Sequence, residues 1–200
     1  HVRGLLSRRP PAPDWTPRTE GKGRLERGPG GVPILYVEGT PEEMGRQHGT
    51  LLRDEMKGLM HYVRAFVGRR GLSKAMKRAA RLFTEHCPED YLREASAMAK
   101  AAGMPVEELL FAQWFTDLYR GFGCSTLAAP SSEGTFLARN LDFPSMGYLQ
   151  RYSIVVVARP VGKQAFASVS WPGLVGGRSG QNAHLAVSTR GVHDQSGVRA

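Results

Sequence analysis

The pattern of apolar residues changes once along the chain, and this change most restricts the folds available to it. Between residues 40 and 120, apolar side chains recur at helical spacing, whereas after Gly121 they gather in short runs separated by turn residues. A doubly wound dinucleotide-binding fold would alternate the two patterns, and no phosphate-loop glycine signature follows the first strand. The short connections between sequential strands after Gly121 predict an antiparallel sheet there, and helices followed by strands predict an α+β chain.

The helical part begins at a strong start signal. Thr40 is followed by Pro41 and Glu43, which predicts an N-cap, a proline in the first helical position and a capping-box acid. Apolar residues then continue at helical spacing as far as Val67. Further helices are predicted near residues 72–85, at 88–103 with Gly103 as the C-cap, and from 105 onward. Short strands are predicted at 32–38, 124–129, 135–141, 152–159, 164–171 and 184–189.

The first 31 residues are rich in Pro and Gly, which predicts a flexible leader. The chain therefore divides into a leader (1–31), a mainly helical segment (32–123) and the first part of a β-sheet domain (124–200). Because the chain starts at His1 and stops directly after a strand-like run, we expect it to be part of a longer protein. A cytoplasmic location is slightly favoured, and export stays open because a signal peptide can precede His1.

The charge balance is basic, with 27 Lys and Arg against 18 Asp and Glu and a formal net charge of +9. Most of the excess lies in residues 1–31 and 124–200. One hypothesis is therefore a basic module that binds nucleic acid or anionic lipid through the leader and the second helix. The basic residues on one face of that helix are Lys74, Lys77, Arg78 and Arg81. We favour a solvated face and no nucleic-acid partner, and no apolar run is long enough to span a membrane.

The residues suited to catalysis lie where helices give way to strands. Cys124 begins the first strand of the β-rich part, and a tight hairpin would return Arg139 and Asp142 to its neighbourhood. An arginine stabilises a thiolate, and a carboxylate can hold or orient a donor. No histidine is well placed as a base. If the Gly123–Cys124 bond were cut, however, the α-amine of Cys124 would suit that task.

The other histidines and cysteines have simpler interpretations. His48 is predicted to be a satisfied core or boundary histidine, and Cys87 to be structural. Two cysteines cannot build a disulfide scaffold. The His and Cys residues do not show zinc-ligand spacing, so the sequence predicts no metal site.

Four segments together resemble the acyl-CoA:6-aminopenicillanic-acid acyltransferase family, peptidase family C45, whose members are N-terminal-nucleophile (Ntn) hydrolases. The segments are 39–49 (GTPEEMGRQHG), 101–110 (AAGMPVEELL), 123–126 (GCST) and 138–143 (ARNLDF). The resemblance runs from about residue 32 to the end of the chain, and the order and spacing of the segments carry it.

The resemblance implies a four-layer αββα sandwich, incomplete here, formed by an inactive precursor. It implies self-cleavage between Gly123 and Cys124, after which the helical small chain and the large chain stay associated. Cys124 would be the nucleophile, with Arg139 and Asp142 beside it. Its substrate would be a small acyl amide or acyl thioester, whose acyl group passes to water or an amine. No cofactor is implied, and acyl-CoA would enter only as a substrate.

The resemblance defines the roles of two asparagines less well than those of Cys124, Arg139 and Asp142. Asn140 lies within the matching motif without an assigned role, and Asn182 holds the place of an asparagine in a family turn. That turn, 180–185 (GQNAHL), is one residue shorter than in relatives and lacks their acid, and Asn182 is favoured as a turn residue. These departures keep a second hypothesis open, a non-processing and catalytically inert relative.

Overall fold

The computed structural model describes residues 12–67, 74, 78, 81–82, 84–115, 124–132, 134–142, 145, 147–177, 179–182, 184 and 186–188. The described part is a mixed α+β structure, as the sequence predicts. Its helices are α1 (Pro41–Leu51), α2 (Arg53–Val67), α3 (Glu89–Ala102) and α4 (Val106–Phe115). Its strands are β1 (Arg18–Glu20), β2 (Gly23–Arg27), β3 (Pro33–Gly39), β4 (Cys124–Ser131), β5 (Gly134–Leu141), β6 (Ile154–Pro160), β7 (Phe166–Ser170), β8 (Ser179–Gln181) and β9 (Ala186–Ser188).

The predicted N-cap at Thr40 and the predicted C-cap at Gly103 are both confirmed. The Thr40 side chain accepts a hydrogen bond from the backbone N–H of Glu43, and the Glu43 carboxylate accepts one from the N–H of Thr40. Gly103 ends α3 in the left-handed conformation, with φ +64°. The long first helix is divided, because Leu52 leaves helical geometry between α1 and α2 and is itself fully buried.

The helix predicted near residues 72–85 lies mainly outside the described residues. Residues 74, 78, 81–82 and 84–86 are helical where the structure describes them. Lys74, Arg78 and Arg81 are exposed, in agreement with a solvated basic face, whereas Lys77 lies outside the described residues.

Helices α1 and α3 pack so closely that their contact requires glycine. A Cβ on Gly45 would lie 2.2 Å from the carbonyl oxygen of Glu94, and a Cβ on Gly49 would lie 2.2 Å from that of Met98. Larger residues would push the helices apart, since interiors are close-packed. The segment 39–49 is therefore constrained by packing as well as by its capping box.

The main sheet has seven strands in the order β1-β2-β3-β6-β7-β8-β9. Most neighbours are antiparallel, but β3 and β6 run parallel, with Ile34 opposite Val155 and Gly39 opposite Pro160. The antiparallel pairing predicted for the strands after Gly121 is confirmed among the described strands, and the parallel pair joins β6 to β3, which precedes the helices. The chain between β3 and β6 includes all the described α-helices, and a parallel pair requires such a long crossover.

The leader prediction is wrong for its second half. Residues 18–27 form the β1–β2 hairpin, in which Arg18 pairs with Leu25. Leu25 also pairs with Leu35 of β3, and both are almost completely buried in the main core. Burial of Leu25 under the helices, together with the bonds of the Arg18 guanidinium to the Leu51 carbonyl and the buried Glu55 carboxylate, ties this Pro- and Gly-rich stretch to the helices. Residues 1–11 of the predicted leader lie outside the described residues.

Different elements pack on the two faces of the main sheet. The helices pack on one face, where Leu35, Ile154 and Val156 join the main core with Met44 and Met98. On the other face lies the hairpin of β4 and β5, which form a separate two-stranded sheet. The described structure therefore has three layers, which are the helices, the main sheet and the β4–β5 hairpin.

Candidate active site

Cys124 is the first residue of β4, and the hairpin register decides which side chains share its face. It pairs with Leu141, while Thr126 pairs with Arg139 and Ala128 with Leu137. Directly opposed residues lie on one face of a sheet, and successive residues alternate. Leu137, Arg139 and Leu141 line a cavity between the hairpin and the main sheet. Cys124 therefore begins the inner face of the hairpin.

Arg139 connects the cysteine with the main sheet. One guanidinium nitrogen, Nη2, donates a hydrogen bond to Cys124 Sγ at 3.2 Å, and Nη1 donates to Ser179 Oγ at 2.7 Å. A guanidinium remains protonated in proteins, and a cation next to a sulfur favours the thiolate, which is the nucleophilic form. The predicted approach of Arg139 to Cys124 is thus present in the structure.

Ser179 is a residue that the sequence analysis did not identify. It lies on β8 opposite Val169 of β7, which in turn pairs with Val155 of β6. These three residues form a row on the cavity face of the main sheet, and all of them line the cavity. A serine in a glycine-rich strand carries no sequence signal for this role, because the contact with Arg139 depends on how two sheets meet.

The cavity beside Arg139 has a volume of about 570 Å³. Its walls come from β5, the short 3₁₀ helix Leu149–Tyr152, β6, β7 and β8, and from Trp171 and Leu174 after β7. Aliphatic and aromatic side chains are interspersed with serine hydroxyls. An apolar cavity with a few convergent polar groups is the usual form of a small-molecule site.

The remaining predicted site residues lie outside the contact between Cys124 and Arg139. Asp142 follows Leu141, the partner of Cys124, so its backbone lies at the same end of the hairpin. Its carboxylate accepts a hydrogen bond from Asn140 Nδ2 at 2.8 Å, and both side chains are exposed. Asn140 pairs with Ser125 and therefore belongs to the outer face. Gly123 lies outside the described residues.

Asn182 is a turn residue, as the sequence favours. Its Oδ1 accepts a hydrogen bond from the backbone N–H of His184 at 2.8 Å, which is an Asx turn. Its Nδ2 donates to Gln164 Oε1 at 2.9 Å.

Neither cysteine of the chain is in a disulfide. Cys87 is half-buried, and burial raises the pKa of its thiol, which lowers its reactivity at neutral pH. Among the described residues, no group of three or more His, Cys, Asp and Glu side chains could hold a metal ion. Within the same residues, no helix is long and apolar enough to cross a membrane.

His48 is a buried core histidine, in agreement with the sequence analysis. Its side chain accepts a hydrogen bond through Nε2 from the backbone N–H of Gly173 at 3.0 Å. Burial lowers the pKa of His48 to about 4. The imidazole is therefore neutral at pH 7, and because Nε2 accepts, its proton must lie on Nδ1.

Fold and site together define a class of protein: an α+β structure with a cysteine–arginine pair beside a cavity between two sheets. No family model matches the chain. It is similar to protein dcd1A of Dictyostelium discoideum, at 23% identity in an alignment 192 residues long, which covers 78% of this chain and 43% of that protein. Protein dcd1B of the same organism is 23% identical over 186 residues, covering 78% and 37%. The chain thus spans about two fifths of the length of these curated relatives.

Proposed function

We propose that this chain is part of a self-processing cysteine Ntn hydrolase or acyltransferase that acts on amide or thioester bonds. The observation that carries the proposal is the hydrogen bond from Arg139 to Cys124 Sγ at the edge of the cavity. It joins a potential nucleophile, a cation that favours its reactive form, and space for a substrate.

The chemistry begins with hydrolysis of the Gly123–Cys124 peptide bond. This step consumes one water and leaves a carboxylate on Gly123 and an α-amine on Cys124. The amine has a pKa near 8 in model compounds, so it can take the thiol proton at neutral pH. The helical segment would then be a small chain, held to the large chain by the packing of helices on the main sheet.

Acyl transfer would follow at the same sulfur. The thiolate attacks the substrate carbonyl, and the C–N bond of an amide or the C–S bond of a thioester breaks as the leaving group takes a proton. The acyl group remains on Cys124 as a thioester. Water or an amine then releases it, which gives hydrolysis or transfer. Arg139 would balance the negative charge at the sulfur in the resting enzyme.

The layers of the structure support this proposal. In an αββα sandwich, the β4–β5 hairpin would contribute to the second sheet, and a second helical layer would cover its outer face. Leu127 and Phe136 on that outer face are each 62% exposed. Large apolar side chains on one face of a short hairpin fit an element that is covered in the complete fold.

Intact-mass measurement of the full-length gene product tests the proposal. We expect two wild-type fragments that separate between Gly123 and Cys124, whereas the Cys124→Ala variant stays whole. Cys87→Ala is the matched control, because it removes the other thiol and should be processed like the wild type. A single uncut chain in all three proteins would contradict the proposal and support the inert relative.

A further inference from the structure

The residues Trp171–Leu174 form a tight turn directly after β7. The backbone N–H of Leu174 donates to the carbonyl of Trp171 at 3.2 Å. Pro172 occupies the second position and Gly173 the third, where φ is +91°. This combination is a type II turn, which requires a positive φ at its third residue and therefore favours glycine there.

Two buried side chains from the helices hold this turn. Nε2 of Gln113 donates to the carbonyl of Gly173 at 2.5 Å, and its Oε1 accepts from the backbone N–H of Val175 at 3.0 Å. His48 Nε2 accepts from the N–H of Gly173. Gln113 is 8% exposed and His48 is 2% exposed, so water does not readily replace these hydrogen bonds.

The hydrogen bond to His48 selects one form of the turn. Type I and type II turns differ by a flip of the central peptide, which here joins Pro172 to Gly173. The N–H of that peptide points to His48 Nε2 in the observed form and would point away after a flip. A neutral imidazole acceptor therefore favours type II, and Gln113 fixes the residues that follow.

The held turn is a wall of the candidate active site. Trp171 and Leu174 line the same 570 Å³ cavity as Arg139. Trp171 and Leu174 also border a small apolar cavity of about 40 Å³ between the turn and the helices. Movement of the turn would therefore change the shape of the space next to Arg139, the partner of Cys124.

We propose that Gln113 and His48 are positioning residues that fix the Trp171–Leu174 turn and so set which acyl chains the cavity beside Cys124 accepts. The assignment rests on the proposed function, since it names the determinant of acyl selectivity for that site. Both residues precede Cys124 in the chain. After cleavage at Gly123–Cys124 they would belong to the small chain and shape a pocket of the large chain.

Hydrogen exchange tests the clamp independently of any activity. Gln113→Met keeps the side-chain shape but removes the hydrogen bonds to Gly173 and Val175. We expect amide exchange at Gly173 and Val175 to become about tenfold faster relative to the amides of β6, which report global opening. The His48→Phe variant should likewise show faster amide exchange at Gly173 relative to the amides of β6. Unchanged relative exchange in both variants would overturn the clamp.

Gln47→Met is a matched control for these variants. Gln47 is also a buried glutamine that bonds a backbone in both directions, accepting from the N–H of Glu38 at 2.9 Å and donating to its carbonyl at 2.8 Å. Gln47 is not among the described residues that line the cavity. Its variant should lower stability without changing relative exchange at Gly173 and Val175.

Acylation by p-nitrophenyl esters tests the selectivity. The thiolate of Cys124 attacks the ester carbonyl, the ester C–O bond breaks, and p-nitrophenolate leaves while a thioester forms. We expect the octanoate-to-acetate rate ratio of the processed wild type to differ from that of N-acetylcysteine. Gln113→Met should move this ratio at least about fivefold toward the N-acetylcysteine value, while the initial burst still releases one nitrophenolate per chain.

The outcomes separate the two proposals. If Gln113→Met and Gln47→Met both keep the wild-type ratio, the turn does not set selectivity and the inference is overturned. If the wild type releases no nitrophenolate beyond the Cys124→Ala variant, the proposed function fails and the selectivity role falls with it. The exchange rates at Gly173 and Val175 then still decide whether Gln113 and His48 hold the turn.

Discussion

The two faces of the main sheet differ in how completely they are packed. On the helix face, Leu35 and Met98 have no exposed surface, and the buried polar residues Gln47 and His48 bond to backbone groups. On the cavity face, Val169 is 60% exposed and a large cavity separates the sheet from the β4–β5 hairpin. The first face supplies stability, and the second leaves space for a ligand.

The clamp of the Trp171–Leu174 turn joins these two regions. His48 and Gln113 extend from the packed helical layer, and the turn that they hold forms a wall of the cavity. Rigid support from a well-packed layer is what a binding site needs for a defined shape. The comparison therefore predicts large stability effects on the helix face and functional effects on the cavity face.

The largest expected effect is the contribution of His48 to the pH dependence of stability. Burial lowers the pKa of His48 from 6.5 to about 4, so between these values the unfolded chain binds the extra proton. The free energy of unfolding therefore falls by about 3 kcal/mol as the pH falls from 6.5 to 4. Above pH 6.5 the contribution of His48 is complete. Urea unfolding at a series of pH values measures it.

Glu94 changes the pH dependence of stability in the opposite direction from His48. The contribution of His48 is therefore measured most clearly in a variant without the Glu94 carboxyl. Burial raises its pKa from 4.5 to about 7, so the folded chain binds the proton in that range and stability falls as the pH rises from 4.5 to 7. In Glu94→Gln, stability should rise more steeply from pH 4.5 to 6.5 than in the wild type. Adding His48→Phe should flatten that rise, and an unchanged slope would contradict the assignment.

A matched pair of valines compares the two faces directly. Val156 is 7% exposed on the helix face, and Val169 is 60% exposed on the cavity face. Val156→Ala should lower the free energy of unfolding by about 2 kcal/mol through lost burial and cavity formation. Val169→Ala should lower it by less than about 0.5 kcal/mol. Both changes remove the same strand former, so denaturant unfolding isolates burial, and equal losses would contradict the comparison.

The sequence predicted local structure best. The Thr40–Glu43 capping box and the Gly103 C-cap depend on residues within one or two turns of helix, and both are present. The hairpin that brings Arg139 to Cys124 is also local, because its register follows from a short turn between neighbouring strands. The core of the candidate site could therefore be predicted.

Contacts between distant segments could not be predicted in the same way. Leu25 belongs to a Pro- and Gly-rich stretch, and its pairing with Leu35 under the helices joins that stretch to the core. The parallel pairing of β3 with β6 joins strands on either side of the helical segment. Gln113 and His48 meet the Trp171–Leu174 turn through packing alone. No spacing within the sequence encodes these contacts.

The smallest expected effect lies at the contact between the hairpin and the main sheet. Ser179 Oγ accepts a hydrogen bond from Arg139 Nη1, while Nη2 of the same guanidinium donates to Cys124 Sγ. Ser179→Ala removes the acceptor that orients the guanidinium, so the thiolate of Cys124 should be less favoured. We expect its alkylation by iodoacetamide at pH 7 to slow by about threefold, measured by peptide mapping.

Ser145→Ala is the control for this last prediction. Ser145 also lines the cavity, and its substitution leaves the hydrogen bond between Arg139 and Ser179 in place. Alkylation of Cys124 should therefore keep its wild-type rate in Ser145→Ala. If both serine variants slowed equally, general loosening of the cavity would explain the effect. If neither slowed, Ser179 would not orient Arg139, and the cavity face would influence Cys124 only through the hairpin itself.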